Sequence, residues 1–380
     1  MRALVGDQSD GAGRRAEGDE VLAQQPDPQR RAARVGQLAR ERGRDPVLAH
    51  HGAHRRPRPD PAEQLVVLAT QHAAALRGKN SITVFGALPG ADGWWYKSAM
   101  ANHIVRVGNV EIMALSDGML EFDLCNFFPT IPEERWEPHQ AALTEEHKVR
   151  FNLGSYLIRA GGRTILVDTG LGPRPADTPD VPWGELLRDF QANGVRPNEV
   201  DMVVMTHLHR DHVGWNLLPQ DGRWVPTFPN ARYWMSDKDW EACHQPDLQP
   251  TRFPNAPTCV WPLAELGLVE LMHGEHAITG ELTAVPTPGH TPGHVSILVT
   301  SQGERALVLG DAAHSPVQVQ EPDWVSRADM DPEVTRRTRR ALMERLEREK
   351  ILVAAGHFQA PGFGRIVRLE GRRYWRGIQA

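Results

Sequence analysis

Thr206-His207-Leu208-His209-Arg210-Asp211-His212 places three imidazoles and one carboxylate within six residues, in the pattern HxHxDH. The apolar run Met202-Val203-Val204-Met205 leads into it, and Val213-Gly214-Trp215-Asn216 follows. An apolar run of this length ending in turn chemistry reads as a buried strand. The histidines are therefore expected on a loop at a strand end, where a rigid sheet can aim them. Imidazole nitrogen with carboxylate oxygen suits zinc and similar divalent ions. His207 and His209 alternate by two and can point the same way in an extended turn. Asp211 and His212 follow one turn later and can face a second metal. The competing reading, a His-rich polar surface loop, is weakened by what lies elsewhere in the chain.

Working outward, the same placement recurs. Thr164-Ile165-Leu166-Val167 runs into Asp168, Leu282-Thr283-Ala284-Val285 runs towards His290, residues 305–310 run into Asp311, and Ile351-Leu352-Val353-Ala354 ends at Gly356-His357. Singly, His290, Asp311 or His357 reads as a capping or core residue. Together they resemble a sheet whose strand ends each deliver one ligand. Hairpins are expected around Gly108-Asn109, Gly161-Gly162-Arg163 and Glu370-Gly371-Arg372. Helices are expected over 183–191, over 236–244 and, most clearly, over 331–350, where Asp331 caps and Pro332 opens the first turn. Ser116-Asp117-Gly118 is expected to close the first strand unit. Residues 119–150 read as a long aromatic-bearing loop with one short helix near 139–148, and 245–267 read as Pro-rich and irregular. The alternation of elements predicts an α/β fold of two mixed sheets packed face to face with helices outside.

Composition bounds the function. The 380 residues carry a net charge of −5, with no basic cluster beside the His loop, which argues against a nucleic-acid ligand. Cys125, Cys243 and Cys259 are odd in number and form no CxxC pair. They are expected as small buried side chains in a reducing, cytoplasmic compartment. No apolar run approaches the roughly 20 residues of a membrane span, and the first residues lack the apolar core of a signal peptide. Residues 1–99 hold 15 Lys/Arg against 11 Asp/Glu, a net of +4 that leaves −9 for residues 100–380. They show no sustained period, apart from weak helical stretches around 30–42 and 62–77. They are expected to be a disordered or mis-assigned N-terminal extension, or a targeting arm, with patterned sequence starting at Met100.

The ordered set Val-Asp-Thr-Gly (167–170), Thr-His-Leu-His-Arg-Asp-His (206–212), Thr-Pro-Gly-His-Thr-Pro-Gly-His (287–294), Gly-Asp-Ala (310–312) and Gly-His (356–357) resembles the metallo-β-lactamase-fold hydrolases. The resemblance covers roughly residues 104–380. Within that superfamily the last third looks most like the methyl parathion hydrolase-like and acyl-homoserine lactonase-like branches, notably over Val308–Ala312 and Ala355–Ile366. The resemblance implies an αβ/βα four-layer sandwich over residues 100–380 and two divalent ions, zinc first, with manganese, iron or cobalt as alternatives. It implies that His207, His209 and His290 hold one ion, that Asp211, His212 and His357 hold the other, and that Asp311 bridges them. His294 then reads as structural, and Asp168 and Thr206 as supports behind the ligands. Two such ions share a water and lower its pKa towards ~7, with Asp211 placed to carry the proton to the leaving group.

One position departs from the pattern. Related lactonases carry Tyr three residues after the bridging Asp; here that residue is His314. It reads either as a donor to the substrate oxygen or as a solvent-facing loop residue. Phe127, Phe128, Trp136, Trp215 and Phe358, with Trp234 and Phe363, are expected to line an apolar cleft. The implied activity is hydrolysis of a small, fairly hydrophobic ester, lactone or phosphotriester. Alternatives within the fold are β-lactam or thioester hydrolysis, a nuclease and an iron-dependent oxidoreductase. The expected partner is a small molecule, without nucleic acid or membrane, and a homodimer is left open.

Overall fold

The computed structural model describes residues 103–173 and 183–378. The expected N-terminal extension, its weak helices and the boundary at Met100 lie outside them. Two seven-stranded sheets face each other. The first has the order β1 (Ile104–Val107), β2 (Val110–Asp123), β3 (Lys148–Ala160), β4 (Arg163–Val167), β5 (Met202–Val204), β8 (Arg232–Ser236), β9 (Val269–Met272). It is antiparallel from β1 to β4 and parallel from β4 to β9. The second runs β10 (His276–Ala277), β11 (Leu282–Pro286), β12 (Val295–Ser301), β13 (Glu304–Val308), β14 (Leu352–Ala354), β15 (Phe363–Leu369), β16 (Arg372–Gly377), with one parallel pair, β13 with β14. A small hairpin, β6 (Leu217–Gln220) with β7 (Arg223–Pro226), stands apart.

Side-chain alternation explains the layers. Along β3 and β4, Tyr156, Ile158, Ile165 and Val167 face the second sheet, where they meet Leu282, Ile297, Val299, Val308 and Ala354. Their neighbours Leu157 and Leu166 face outward onto Leu186 and Phe190 of helix α1 (Leu186–Ala192). In the second sheet Leu307 and Val353 face outward onto Leu342, Met343 and Leu346 of helix α4 (Pro332–Arg348). The period of two thus sends alternate residues into different cores, which is the four-layer arrangement expected. Each fully buried aliphatic side chain contributes roughly 1.5–3 kcal/mol. Helix α4 begins as its sequence requires: the Asp331 side chain accepts from Glu333 N and Val334 N, and Pro332 opens the first turn. Two shorter helices, α2 (Arg210–Val213) and α3 (Asp237–Ala242), lie between them in the chain.

Several expectations need correction. The first strand unit does not close at Gly118. β2 continues to Asp123 through a register shift between Ser116 and Met119, paired throughout with a β3 that starts at Lys148. The shift turns Asp117 inward, where its carboxylate accepts from Leu171 N (2.6 Å), Leu186 N (2.5 Å) and Trp215 Nε1 (2.8 Å). Residues 119–150 therefore include two strand arms, closed by a helical turn at Leu124–Phe127 and a 3-10 stretch at Glu133–Ala142. The Pro-rich 245–267 region contains three one-turn helices, Gln249–Arg252, Ala256–Cys259 and Trp261–Glu265. Cys125 is exposed, while Cys243 and Cys259 are buried; all three are free.

Candidate metal centre

Each strand end expected to carry a polar residue does so. Asp168 follows β4, His207 follows β5, His290 lies beyond β11, Asp311 beyond β13 and His357 beyond β14. The chain between β5 and His212 is set by Asp168, which takes a positive φ of 61°. Its Oδ1 accepts from Thr206 N and its Oδ2 from Thr206 Oγ1, both at 2.7 Å, and His212 Nδ1 donates to Oδ2 at 2.9 Å. The loops carrying Asp168 and His212 cross so closely that a Cβ on Gly214 would sit 2.0 Å from the Leu171 carbonyl carbon. Glycine is required there by this approach.

The imidazoles are oriented from behind. Thr206 Oγ1 donates to Asp168, so its lone pair is left to take the His207 Nδ1 proton at 3.1 Å. His357 Nδ1 donates to Asn152 O at 2.9 Å, and His290 Nδ1 to Asp329 Oδ1 at 3.0 Å. With Nδ1 protons so placed, the Nε2 lone pairs of His207, His212, His290 and His357 turn to one point. That point is Asp311. Its Oδ2 lies 3.0 Å from His357 Nε2, 3.3 Å from His290 Nε2 and 3.8 Å from His207 Nε2; its Oδ1 lies 3.3 Å from His212 Nε2. His209 Nδ1 approaches His290 Nε2 to 2.9 Å, and Asp211 Oδ2 stands 3.6 Å from His357 Nε2.

Donor atoms gather into the sets His207/His209/His290, His207/His212/Asp311 and Asp211/His212/His357, each within 4.8 Å. His207 Nε2 and His212 Nε2 are buried without a hydrogen-bond partner. Buried, converging lone pairs are costly unless something accepts them, and a divalent ion does; the donor set is of the kind that binds zinc. The electrostatics follow from the same contacts. Burial and the neighbouring imidazoles push His207 and His209 well below the usual histidine range. Burial would also lower His212 and His357, but Asp311 holds both above it. Burial would raise Asp311, yet the ring of imidazoles holds it well below the carboxylate range.

His314 is not solvent-facing. It is 3% exposed, its Nε2 lies 3.3 Å from Asp311 Oδ2, and its ring stacks on His357 and meets Phe127 edge-on at 5.4 Å. Gln318 Oε1, accepting from His314 N and Ser315 N, fixes that turn. His294 turns its Nε2 away to accept from Asp311 N at 2.8 Å, and burial pushes it down to about 3, so it stays neutral.

The aromatic expectation is divided by the structure. Phe127 stands against His314, and Phe151, which the sequence reading passed over, packs on both His314 and His357. Phe128 and Trp136 lie behind them, fully buried in a cluster with Trp324. Trp215 belongs to the outer core of the first sheet, Phe358 to the core under α4 against Trp375, and Phe363 to the inter-sheet core; Trp234 meets His276 at a tilt, with ring centroids 5.7 Å apart. These four pack elsewhere because their strand and loop positions point them into layers, not towards the strand ends.

Three supporting residues escaped the sequence reading. Asp239, fully buried, accepts from Thr291 Oγ1 (2.8 Å) and Gly293 N (2.6 Å), and burial raises its carboxyl to about 6. In sequence it looked like one more helix-capping residue. Asp329 is buried behind His290; burial would raise it, but His290 and Arg339 hold it well below the usual range. Arg339 is wholly buried on α4. Its spacing from Thr335, Leu342 and Leu346, on the inward stripe, was the available signal.

The metallo-beta-lactamase superfamily model matches residues 155–357, which include every member of this cluster. The chain belongs to the metallo-beta-lactamase superfamily. It is a metal-dependent hydrolase. An N-acyl homoserine lactonase of Bacillus thuringiensis is 24% identical over 234 residues, 57% of this chain and 85% of the relative. N-acyl homoserine lactonase AttM of Rhizobium radiobacter is 29% identical over 174 residues, 43% of this chain and 62% of the relative. Among solved structures, hydrolase AbOPH of the beta-lactamase superfamily superposes with a TM-score of 0.63 at 26% identity, covering 73% of this chain and 98% of its own. AidC, a dizinc quorum-quenching lactonase solved with an N-acyl-homoserine product, superposes with a TM-score of 0.64 at 20% identity, covering 74% of this chain and 99% of its own; this likeness bears on the fold.

Proposed function

We propose that residues 100–380 of this superfamily member form a dinuclear hydrolase acting on a small, fairly hydrophobic lactone, and on related esters or phosphotriesters. The observation that carries the reading is Asp311. One buried carboxylate lies within 3.3 Å of imidazoles from both donor sets. In this reading His207, His209 and His290 would hold one ion, Asp211, His212 and His357 would hold the other, and Asp311 would be shared, with zinc first and manganese, iron or cobalt as alternatives. Two bound divalent ions would supply a hydroxide nucleophile at neutral pH and polarise the substrate's oxygen.

The chain's own residues do the rest. Asp168 and Thr206 orient His212 and His207. Asp211, whose side chain keeps 24% exposure, is open enough to take the nucleophile's proton and return it to the leaving oxygen. His314 stands beside Asp311, where an N–H can meet the substrate oxygen as charge develops. Phe127 and Phe151 give that side an apolar wall, favouring a neutral substrate. The lactone is preferred over the other substrates because curated relatives covering most of their own length are N-acyl homoserine lactonases.

Metal analysis with a panel of lactones, aryl esters, phosphotriesters and β-lactams tests this. Two equivalents of metal and chelator-sensitive lactone turnover are expected. Near-zero metal after expression with added zinc, manganese or iron overturns the reading, and turnover confined to β-lactams overturns the substrate class.

A further inference from the structure

Arg339 is an unusual choice for an inward position of α4. Its side chain is wholly buried, and its neighbours on the same stripe are Thr335, Leu342, Met343 and Leu346. A buried guanidinium contributes little net stability, and an apolar side chain of similar size commonly serves a core better. Its contacts suggest another use. Nε donates to Ala312 O at 2.6 Å, the residue after Asp311. Nη2 lies 3.5 Å from Asp329 Oδ2, and the other oxygen of Asp329 accepts from His290 Nδ1. Nη1 donates to Trp324 O at 2.5 Å and Pro322 O at 3.3 Å, while Ser326 N donates to Asp329 Oδ2 at 2.8 Å.

The backbone repeats the pattern. Met330 N donates to His290 O, Asp331 N to Gly289 O and Thr338 Oγ1 to Pro288 O. A Cβ on Gly289 would lie 2.4 Å from Thr335 N, so the His290 loop rests directly on the start of α4. One planar guanidinium therefore hydrogen-bonds the loop after Asp311 through Nε and, through an Nη2 that makes no hydrogen bond, faces the carboxylate behind His290 as an ion pair. A lysine, a point charge on a flexible stem, cannot make these contacts together.

We propose that Arg339 and Asp329 are positioning residues that lock the Asp311 and His290 loops in metal-binding register, with α4 as the platform. The proposal rests on reading His290 and Asp311 as ligands. A pair that only pins the 322–331 segment would move the melting temperature without moving metal release.

The test uses full-length, zinc-loaded protein. Arg339→Lys, Asp329→Asn and the neutral pair Asp329→Asn/Arg339→Met are challenged with a chelator at room temperature, with folding followed by circular dichroism. Zinc release about 10- to 100-fold faster than in the native chain, from variants that remain folded, is expected. Release at the native rate from folded variants overturns the proposal. So does unfolding of all three, which assigns the pair to the fold alone. His290→Ala separates the two levels. If it keeps its full zinc content, the ligand reading itself fails. If it loses zinc while the pair variants release normally, only the positioning role is lost.

Discussion

Asp168 shows how much one side chain can decide. Its carboxylate takes three donors from the loop it faces, two from Thr206 and one from His212. Asp168→Asn replaces one acceptor oxygen with an amide that meets another donor. We expect metal affinity to fall about 10- to 100-fold, read by chelator competition. His314 makes a different prediction. If it touches the substrate oxygen, His314→Ala lowers kcat about 100-fold or more with both metals retained; unchanged kcat at full metal content removes it from the chemistry. At this scale the sequence was informative wherever a residue ended an apolar run, as His207, Asp311 and His357 do. It was silent on Asp329, Asp239 and Gln318, because a polar residue beside a helix cap or in a loop looks the same whether it faces water or the back of a histidine.

At the scale of elements, α4 and the β2 register shift matter most. Asp331 caps α4 with two backbone donors. Asp331→Ala is expected to cost about 1 kcal/mol by urea denaturation, leaving metal content unchanged. Asp117, at the shift, binds both Leu171 and Leu186 and also Trp215. Burial pushes its carboxyl up to about 7 against those donors. The folded chain then holds a proton there that the unfolded chain releases near the ordinary carboxylate value of 3.8. The Asp117 contribution is fully present below that value and is lost as pH rises towards 7. Asp117→Asn keeps a neutral group there and should flatten this part of the stability–pH curve, read by urea denaturation between about pH 4 and 8. The outer arms of the two long strands do alternate, Leu120 and Phe122 against Glu121 and Asp123 and Val149 and Phe151 against Lys148 and Arg150, but each arm is only about five residues long and stands among prolines and loop residues, so this period of two was passed over. Phe122, Phe127 and Phe151 pack with one another over the site, and this local aromatic cluster replaces the regular sheet core as the reason for the strands to extend.

For the whole molecule, the two sheets meet over one apolar core, and the candidate centre lies where their strand ends converge. Ligands drawn from both sheets mean that a bound ion would hold the folded state against the unfolded one. Chelation should lower the melting temperature and added zinc should restore it, with about 4 kcal/mol of stabilisation once free metal reaches a thousandfold of its dissociation constant. A melting temperature indifferent to chelator would separate the metal from the fold.

Among the described residues no helix is long and apolar enough to cross a membrane. β6, β7, β9, β10 and the order of strands within each sheet were not legible in the sequence, whereas most of the strands along the chain, the helix at 331–350 and the identity of the clustered histidines and aspartates were. Each depends on local periodicity and on residue type at a strand end, and these are written along the chain. The tertiary structure alone decided that His314 is buried against Asp311, that Phe151 takes the place expected for Trp215 and Phe358, and that Arg339 joins two distant loops. Those are contacts between segments far apart in sequence, and which face of a loop meets which is fixed only when both sheets close on their common core.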